Sequence, residues 1–186
     1  MNKVSIKAAF IICIIILSAA LMSCNVGKEY KNTGEVIQLE NCEITIQEIK
    51  QYKTMEYVSP AEGNVFIGIK FNYKNISETE LESTSLPVIN LQTGEGTSYK
   101  VNYDASLVYS IIQSVDYSIM KDPLEAQASR DDCEVYEVAK TDLENTEKEI
   151  VIKIDKTNYY VKVDFTQNNT DQNTTQTTDQ TQQDKK

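Results

Sequence analysis

The sequence predicts an all-β domain folded as an antiparallel β-sandwich, and three observations predict it. The first is a nine-position stretch in which Val65, Ile67, Ile69, Phe71 and Tyr73 alternate with Phe66, Gly68, Lys70 and Asn72. A period of two places one side of a strand on a core. The second is repetition: roughly seven short segments carry this alternation or a β-branched run, with turn residues between them, as sandwiches do. The third is length, since residues 35–165 suffice for one domain with its own core.

The elements follow in chain order. Cys42, Ile44 and Ile46 alternate with Glu43, Thr45 and Gln47, a half-buried strand. Ser59-Pro60-Ala61-Glu62-Gly63-Asn64 is turn chemistry ahead of the long strand, and Asn75-Ile76-Ser77 ends it. Glu78, Glu80 and Glu82 alternate along an expected sheet edge, where charge discourages pairing with other chains. A strand is expected over Val88 to Leu91, then the turn Thr93-Gly94-Glu95-Gly96, with Tyr99-Lys100-Val101 beginning the return. Later strands are expected at Cys133 to Val138, at Ile150, Ile152 and Ile154, and at Val161, Val163 and Phe165. One segment departs from period two. Leu107, Val108, Ile111, Ile112, Val115 and Ile119 fall at spacings of three and four, predicting a short helix or ordered loop near 105–120. Asp104 is its expected N-cap and Pro123 follows its end; the β-branched content leaves a strand open.

The two ends read differently from the middle. Lys3 and Lys7 precede an apolar run from Ala8 to Met22. A charged start, a short apolar stretch and small residues at its end describe a secretory signal, and the run is shorter than the roughly 20 residues of a spanning helix. It closes on Leu21-Met22-Ser23-Cys24, which resembles the lipobox of bacterial lipoproteins, with Met22 bulkier than the usual occupant. The resemblance implies cleavage between Ser23 and Cys24, and lipidation of the Cys24 thiol with chains such as palmitate. It also implies a location on the outer face of the cell membrane. Two acyl chains anchor stably where one does not. Residues 24–34 are polar and aperiodic, a flexible tether by this reading, and 35–165 form the domain. Residues 166–186 contain only Thr, Gln, Asn, Asp and Lys. Such a tail buries nothing to offset chain entropy and is expected to be disordered.

The stretch Gly63-Asn64-Val65-Phe66-Ile67-Gly68-Ile69-Lys70-Phe71-Asn72-Tyr73-Lys74-Asn75-Ile76-Ser77 resembles the central strand of the telokin-like, immunoglobulin-fold domains of bacterial lipoproteins and secreted antigens. Gly94 ahead of Tyr99, and Val135-Tyr136-Glu137-Val138, resemble later landmarks of that family. The usual Pro-Gly turn is replaced by residues 123–132, and Ala139 stands where proline is common. The resemblance implies an immunoglobulin-like sandwich over about residues 35–165 and no catalytic residues.

Composition narrows the function. Removing residues 1–23 takes away Lys3 and Lys7 and no acid, leaving a formal charge of −12. Nucleic acid is disfavoured as a partner, and the domain is expected to stand off anionic headgroups. Without histidine, Ser-His and Cys-His relays and His-based zinc sites are impossible within the chain. No phosphate loop is present, and no catalytic residue, cofactor or metal is predicted. Asp131-Asp132 is the nearest thing to a calcium donor pair, but lacks a calcium loop's spacing. Cys42 and Cys133 are the remaining pair of cysteines once Cys13 and Cys24 are accounted for. A disulfide between them would close a loop of about 90 residues, worth roughly 4–5 kcal/mol; two separate buried thiols are the alternative. Tyr99, Tyr103, Tyr109 and Tyr117 flank the helical segment and are the candidate interaction surface, because tyrosine is enriched at interfaces, with packing over the sandwich as the alternative. The sequence therefore reads as a membrane-anchored, non-catalytic module that binds a protein, peptide or wall component. The alternative is an accessory or carrier lipoprotein for a small solute beside a transporter.

Overall fold

In the computed structural model, which describes residues 27–163, the long alternating segment is the centre of the fold. Ser23, Cys24, Phe165 and the tail lie outside the described residues. The strands are β1 Glu29–Lys31, β2 Val36–Gln38, β3 Cys42–Tyr52, β4 Asn64–Asn75, β5 Ile89–Thr93, β6 Lys100–Val101, β7 Ser129–Ala139, β8 Ile150–Ile154 and β9 Tyr159–Lys162. They form a five-stranded sheet in the order β2-β3-β4-β7-β6 and a four-stranded sheet in the order β1-β9-β8-β5. The expected β-sandwich is the fold. Val65, Ile67, Ile69, Phe71 and Tyr73 of β4 meet Ile89, Leu91, Ile150, Ile152, Ile154 and Val161 in the core between the sheets.

β3 reaches that core by an irregular route. Ile46 lies opposite Phe71 and Glu48 opposite Lys70, so Gln47 is an extra residue in the ladder. Such a bulge reverses the alternation. Cys42, Ile44 and Ile46 point inward before it and Ile49 does so after it, while Glu48 and Tyr52 turn to the outer side.

That outer side carries a second core. Helix α1, Tyr103–Ile112, lies on the five-stranded sheet, and Ala105, Val108 and Tyr109 pack on Phe66, Cys133, Val135 and Met55. The centre of β4 is therefore buried on both sides. Gly68 is the point of closest approach: a Cβ there would sit 2.8 Å from Cζ of Tyr109. Asn102, not Asp104, caps the helix, accepting from the Ala105 amide at 3.0 Å. The helix stops before the predicted 120. Ser114 takes a φ of 54°, and a 3-10 turn follows at Tyr117–Ile119.

Three expectations are corrected. Residues 27–34 are not all spacer: β1 pairs in parallel with β9, and the Gly34 amide donates to the Ile46 carbonyl at 2.8 Å. The sandwich is thus not wholly antiparallel. Glu78, Glu80 and Glu82 do not form an edge strand; they lie in a loop held by a bridge between Leu81 and Leu124 and by side-chain hydrogen bonds from Asn75 to the Thr79 carbonyl and from Gln127 to the Ser77 carbonyl. A short helix α2, Lys140–Glu144, also follows β7 where no helix was expected.

Candidate functional site

The four candidate tyrosines do not form one surface. Tyr109 is 0% exposed and its hydroxyl donates to Glu48 at 3.2 Å, so it holds α1 to the sheet. Tyr99 packs against the core between the sheets and donates to Asp142 of α2 at 3.0 Å. Burial pushes both hydroxyls well above the usual range, so both stay protonated donors. Tyr117 is half-buried. Tyr103, 74% exposed, is the one open to contact. It heads a row on α1 with Leu107 and Ile111, each four residues on and exposed, as helical spacing requires.

Cys42 and Cys133 are both buried and free, which corrects the disulfide expectation. The register gives the reason. Cys42 lies opposite Asn75, and Cys133 opposite Lys70, five residues away along β4. An odd offset also puts them on opposite sides of the sheet, and a disulfide needs Cα atoms within about 7 Å. Burial pushes the Cys133 thiol up to about 12, with the charges of Asp132 and Glu134 adding to the effect, so it is held as an unreactive thiol.

A buried polar row that the sequence concealed lies beside the core. Arg130, Asp132, Glu134 and Tyr136 occupy alternate positions of β7, opposite Tyr73, Phe71, Ile69 and Ile67, and therefore point between the sheets. Arg130 is buried and its guanidinium binds the turn after α1: Nη1 donates to the carbonyls of Ile119 and Asp122 at 2.8 and 2.7 Å. Asp132 accepts from the Cys133 amide at 2.8 Å, yet burial raises its carboxyl to about 6. Burial raises Glu134 to about 7.

The Tyr136 hydroxyl sits between two oxygens, and its hydrogen bond to Glu134 works against the burial that raises that carboxyl. The Tyr136 hydroxyl lies 2.7 Å from the Ile89 carbonyl of β5 and 2.5 Å from Oε2 of Glu134. A hydroxyl has one proton to donate. Both contacts are satisfied together when Tyr136 donates across to β5 and Glu134 donates to the tyrosine oxygen.

Asp131 points the other way. It accepts from Asn72 at 2.7 Å and pairs with Lys70 at 3.3 Å, and these contacts hold it below the carboxylate range despite partial burial. The Asp131-Asp132 pair is split across the sheet and cannot jointly grip one ion. Among the described residues no three His, Cys, Asp or Glu side chains are grouped to hold a metal, and no helix is long and apolar enough to cross a membrane.

Among the described residues, two of the clefts on the surface bear on ligand binding. One, of about 380 Å³, lies at an end of the sandwich among Leu39, Leu81, Leu86, Pro87, Val88 and Lys156. The other, of about 680 Å³, is more polar and lies beside the β3 bulge, between Gln47, Glu48 and Lys50 and the Lys148–Ile150 and Lys162 side of the second sheet.

The outer side of the four-stranded sheet carries a different chemistry. Tyr30, Tyr160, Lys153 and Asn90 form one row across β1, β9, β8 and β5, with Lys162, Val151 and Gln92 in the next. The Lys28 ammonium lies 5.3 Å from the Tyr160 ring centre and donates to the Gly94 carbonyl. Lys162 lies 4.8 Å from the Tyr30 ring centre. Composition and spacing drew no attention to these residues, because parallel pairing of β1 with β9 is what assembles them.

No family model matches the chain. It is 31% identical over 91 residues to the uncharacterized protein YxkC of Bacillus subtilis strain 168, a match covering 47% of this chain and 51% of that one. The chain thus spans about half the length of the curated relative it matches. Among solved structures it is similar to a conserved hypothetical protein from Bacillus anthracis. The TM-score is 0.57 at 17% identity, over 65% of this chain and 87% of the other, a likeness of fold alone. An uncharacterized beta-sandwich protein from Clostridium difficile 630 aligns with a TM-score of 0.49 at 18% identity, over 76% of this chain and 99% of the other.

Proposed function

We propose that the chain is an exported bacterial lipoprotein, held on the outer face of the cell membrane through Cys24, whose β-sandwich works as a non-catalytic binding module. The observation that carries the reading is Leu21-Met22-Ser23-Cys24 at the end of a short apolar run, with Cys24 five residues ahead of the first strand, Glu29–Lys31. The resemblance of Gly63 to Ser77 to telokin-like domains of bacterial lipoproteins points the same way. The non-catalytic part rests on where the reactive groups lie: Cys42 and Cys133 are buried thiols and Tyr109 and Tyr136 are committed to internal hydrogen bonds.

The test is Cys24→Ala in cells. The variant should keep the fold but accumulate as uncleaved precursor or appear in the medium, and it should lose incorporated acyl label. A variant still processed and still sedimenting with membranes would sink the lipoprotein reading.

The carrier alternative is favoured by one feature, the end cleft of about 380 Å³ lined by Leu39, Leu81, Leu86 and Pro87, which falls within the range of small-molecule sites. Native mass spectrometry of protein taken from its own membranes checks it. A stoichiometric small molecule lost on Leu86→Glu supports the carrier; bare protein argues for the module.

A further inference from the structure

We propose that the outer side of the four-stranded sheet is the face that the anchored domain lays on anionic phospholipid headgroups. The inference rests on the lipoprotein reading above and adds to it an orientation and a ligand chemistry.

The first support is reach. Lys28 is the fourth residue after Cys24, a distance of at most about 14 Å when the chain is fully extended. β1 follows at once, at the edge of the four-stranded sheet beside β9. An anchor on Cys24 therefore brings the β1–β9 edge to the membrane before any other part. Helix α1 and the five-stranded sheet lie on the far side of the sandwich.

The second support is charge. The rows Tyr30-Tyr160-Lys153-Asn90 and Lys162-Val151-Gln92 contain lysine and no acid; Val151 and Gln92 are themselves buried, so Lys162 is what the second row presents. Two carboxylates lie beside them: Glu149 accepts from the Tyr30 hydroxyl at 2.9 Å and lies 3.8 Å from Lys162, and half-buried Asp155 follows Lys153 by two positions. Neither Lys28 nor Lys153 forms an ion pair among the described residues. The five-stranded sheet differs. There Lys50 pairs with Glu48 at 2.7 Å, Lys70 with Asp131 at 3.3 Å and Lys74 with Glu43 at 3.2 Å, so the lysines of β3 and β4 are paired, and Lys100 on the short strand β6 is the exposed exception.

The third support is the aromatic content. Tyr30 and Tyr160 are exposed or half-exposed, with ring centres 5.9 Å apart. Tyrosine is enriched at the headgroup level of bilayers, where its ring and hydroxyl meet different surroundings. The overall charge does not forbid contact. Screening confines electrostatics to about 8–10 Å at physiological salt, so headgroups respond to the face laid on them more than to the whole molecule. The proposal parts here from the expectation that an acidic domain stands off the membrane.

The experiment uses the chain from Cys24 to Lys186, which contains both sheets. It is coupled through the Cys24 thiol to a maleimide phospholipid; Cys42 and Cys133 are buried and do not compete. The product is placed on phosphatidylcholine vesicles with and without phosphatidylglycerol, and acetylation of each lysine is followed by peptide mass spectrometry. Lys28, Lys153 and Lys162 should react about fivefold more slowly when phosphatidylglycerol is present, with Lys50 and Lys74 unchanged. Lys28→Glu/Lys153→Glu, changing two side chains at the surface, should return Lys162 to its rate on neutral vesicles. Equal rates on both vesicles, equal slowing on both sheets, or equal protection by a soluble glycerol-phosphate polymer would each overturn the proposal. Because the anchor is synthetic, the outcome does not depend on whether cells acylate Cys24. An N-terminal peptide from cells lacking acyl groups would instead remove the lipoprotein reading.

Discussion

Replacing Glu134 by glutamine should make the domain more stable at pH 8 and leave it nearly unchanged at pH 4. Burial raises the Glu134 carboxyl from 4.5 to about 7. A carboxyl raised in the folded state contributes stability that is complete below its unfolded value and is lost as pH rises through the folded one. The window therefore runs from about pH 4.5 to about pH 7. A shift of this size corresponds to about 3 kcal/mol, and partial exposure of the side chain brings the expectation to about 2 kcal/mol. The structure names what is lost. Once Glu134 is ionised it competes with the Ile89 carbonyl for the single Tyr136 proton, weakening a hydrogen bond that joins β7 to β5 across the sandwich. Glutamine supplies a permanent N–H donor of nearly the same shape, so Tyr136 can donate to Ile89 at every pH. Urea unfolding of the wild type and Glu134→Gln, at several pH values from 4 to 8, measures the difference. The gain should grow through pH 5–7 and level off above. Asp132, raised to about 6 by burial, acts in the same direction. Asp131 and Glu137, held low by hydrogen bonds against partial burial, act oppositely as pH falls; these two are common to both proteins and cancel, while the repulsion between Asp132 and Glu134 is relieved in Glu134→Gln and adds to the gain. A constant difference across the range, or a loss at pH 8, would refute the argument.

Two further expectations concern packing. Gly68→Ala forces a methyl carbon to within 2.8 Å of the Tyr109 ring, so it should lift α1 from the sheet and cost about 1–3 kcal/mol in urea unfolding; a neutral substitution would show that α1 does not seat there. Alkylation without reductant should leave Cys42 and Cys133 unmodified in the native domain and modify both in urea, as intact mass reads directly. A urea-unfolded sample that still refuses alkylation at both would restore the disulfide.

Much of the fold is legible in the order of residues alone. The alternation from Val65 to Tyr73 identifies the central strand and its core side because a strand with one side on a core must repeat every two residues. The spacing from Leu107 to Ile119 identifies the helical departure for the same kind of local reason. What local periodicity cannot report is what covers the other side. Phe66 and Gly68 read as the solvent side of β4, and only the arrival of α1 buries them. Tyr109 reads as a surface candidate because nothing in its neighbours announces that its ring lies on a glycine 41 residues away.

The sequence by itself determined the short apolar run that ends on Cys24, the strands from β3 onward, and the absence of histidine-based chemistry, since each depends on residue type or on neighbours a few positions apart. The tertiary structure decided the sides. The bulge at Gln47 reversed half of β3, register placed Cys42 and Cys133 across a sheet from each other, and enclosure turned Glu134 into a titrating group near neutrality. The parallel pairing of β1 with β9 brought Lys28 and Tyr30 beside Tyr160 and Lys162. Each of these depends on which distant strand lies alongside, and that is settled by the burial of the whole core, not by the order of residues within one segment.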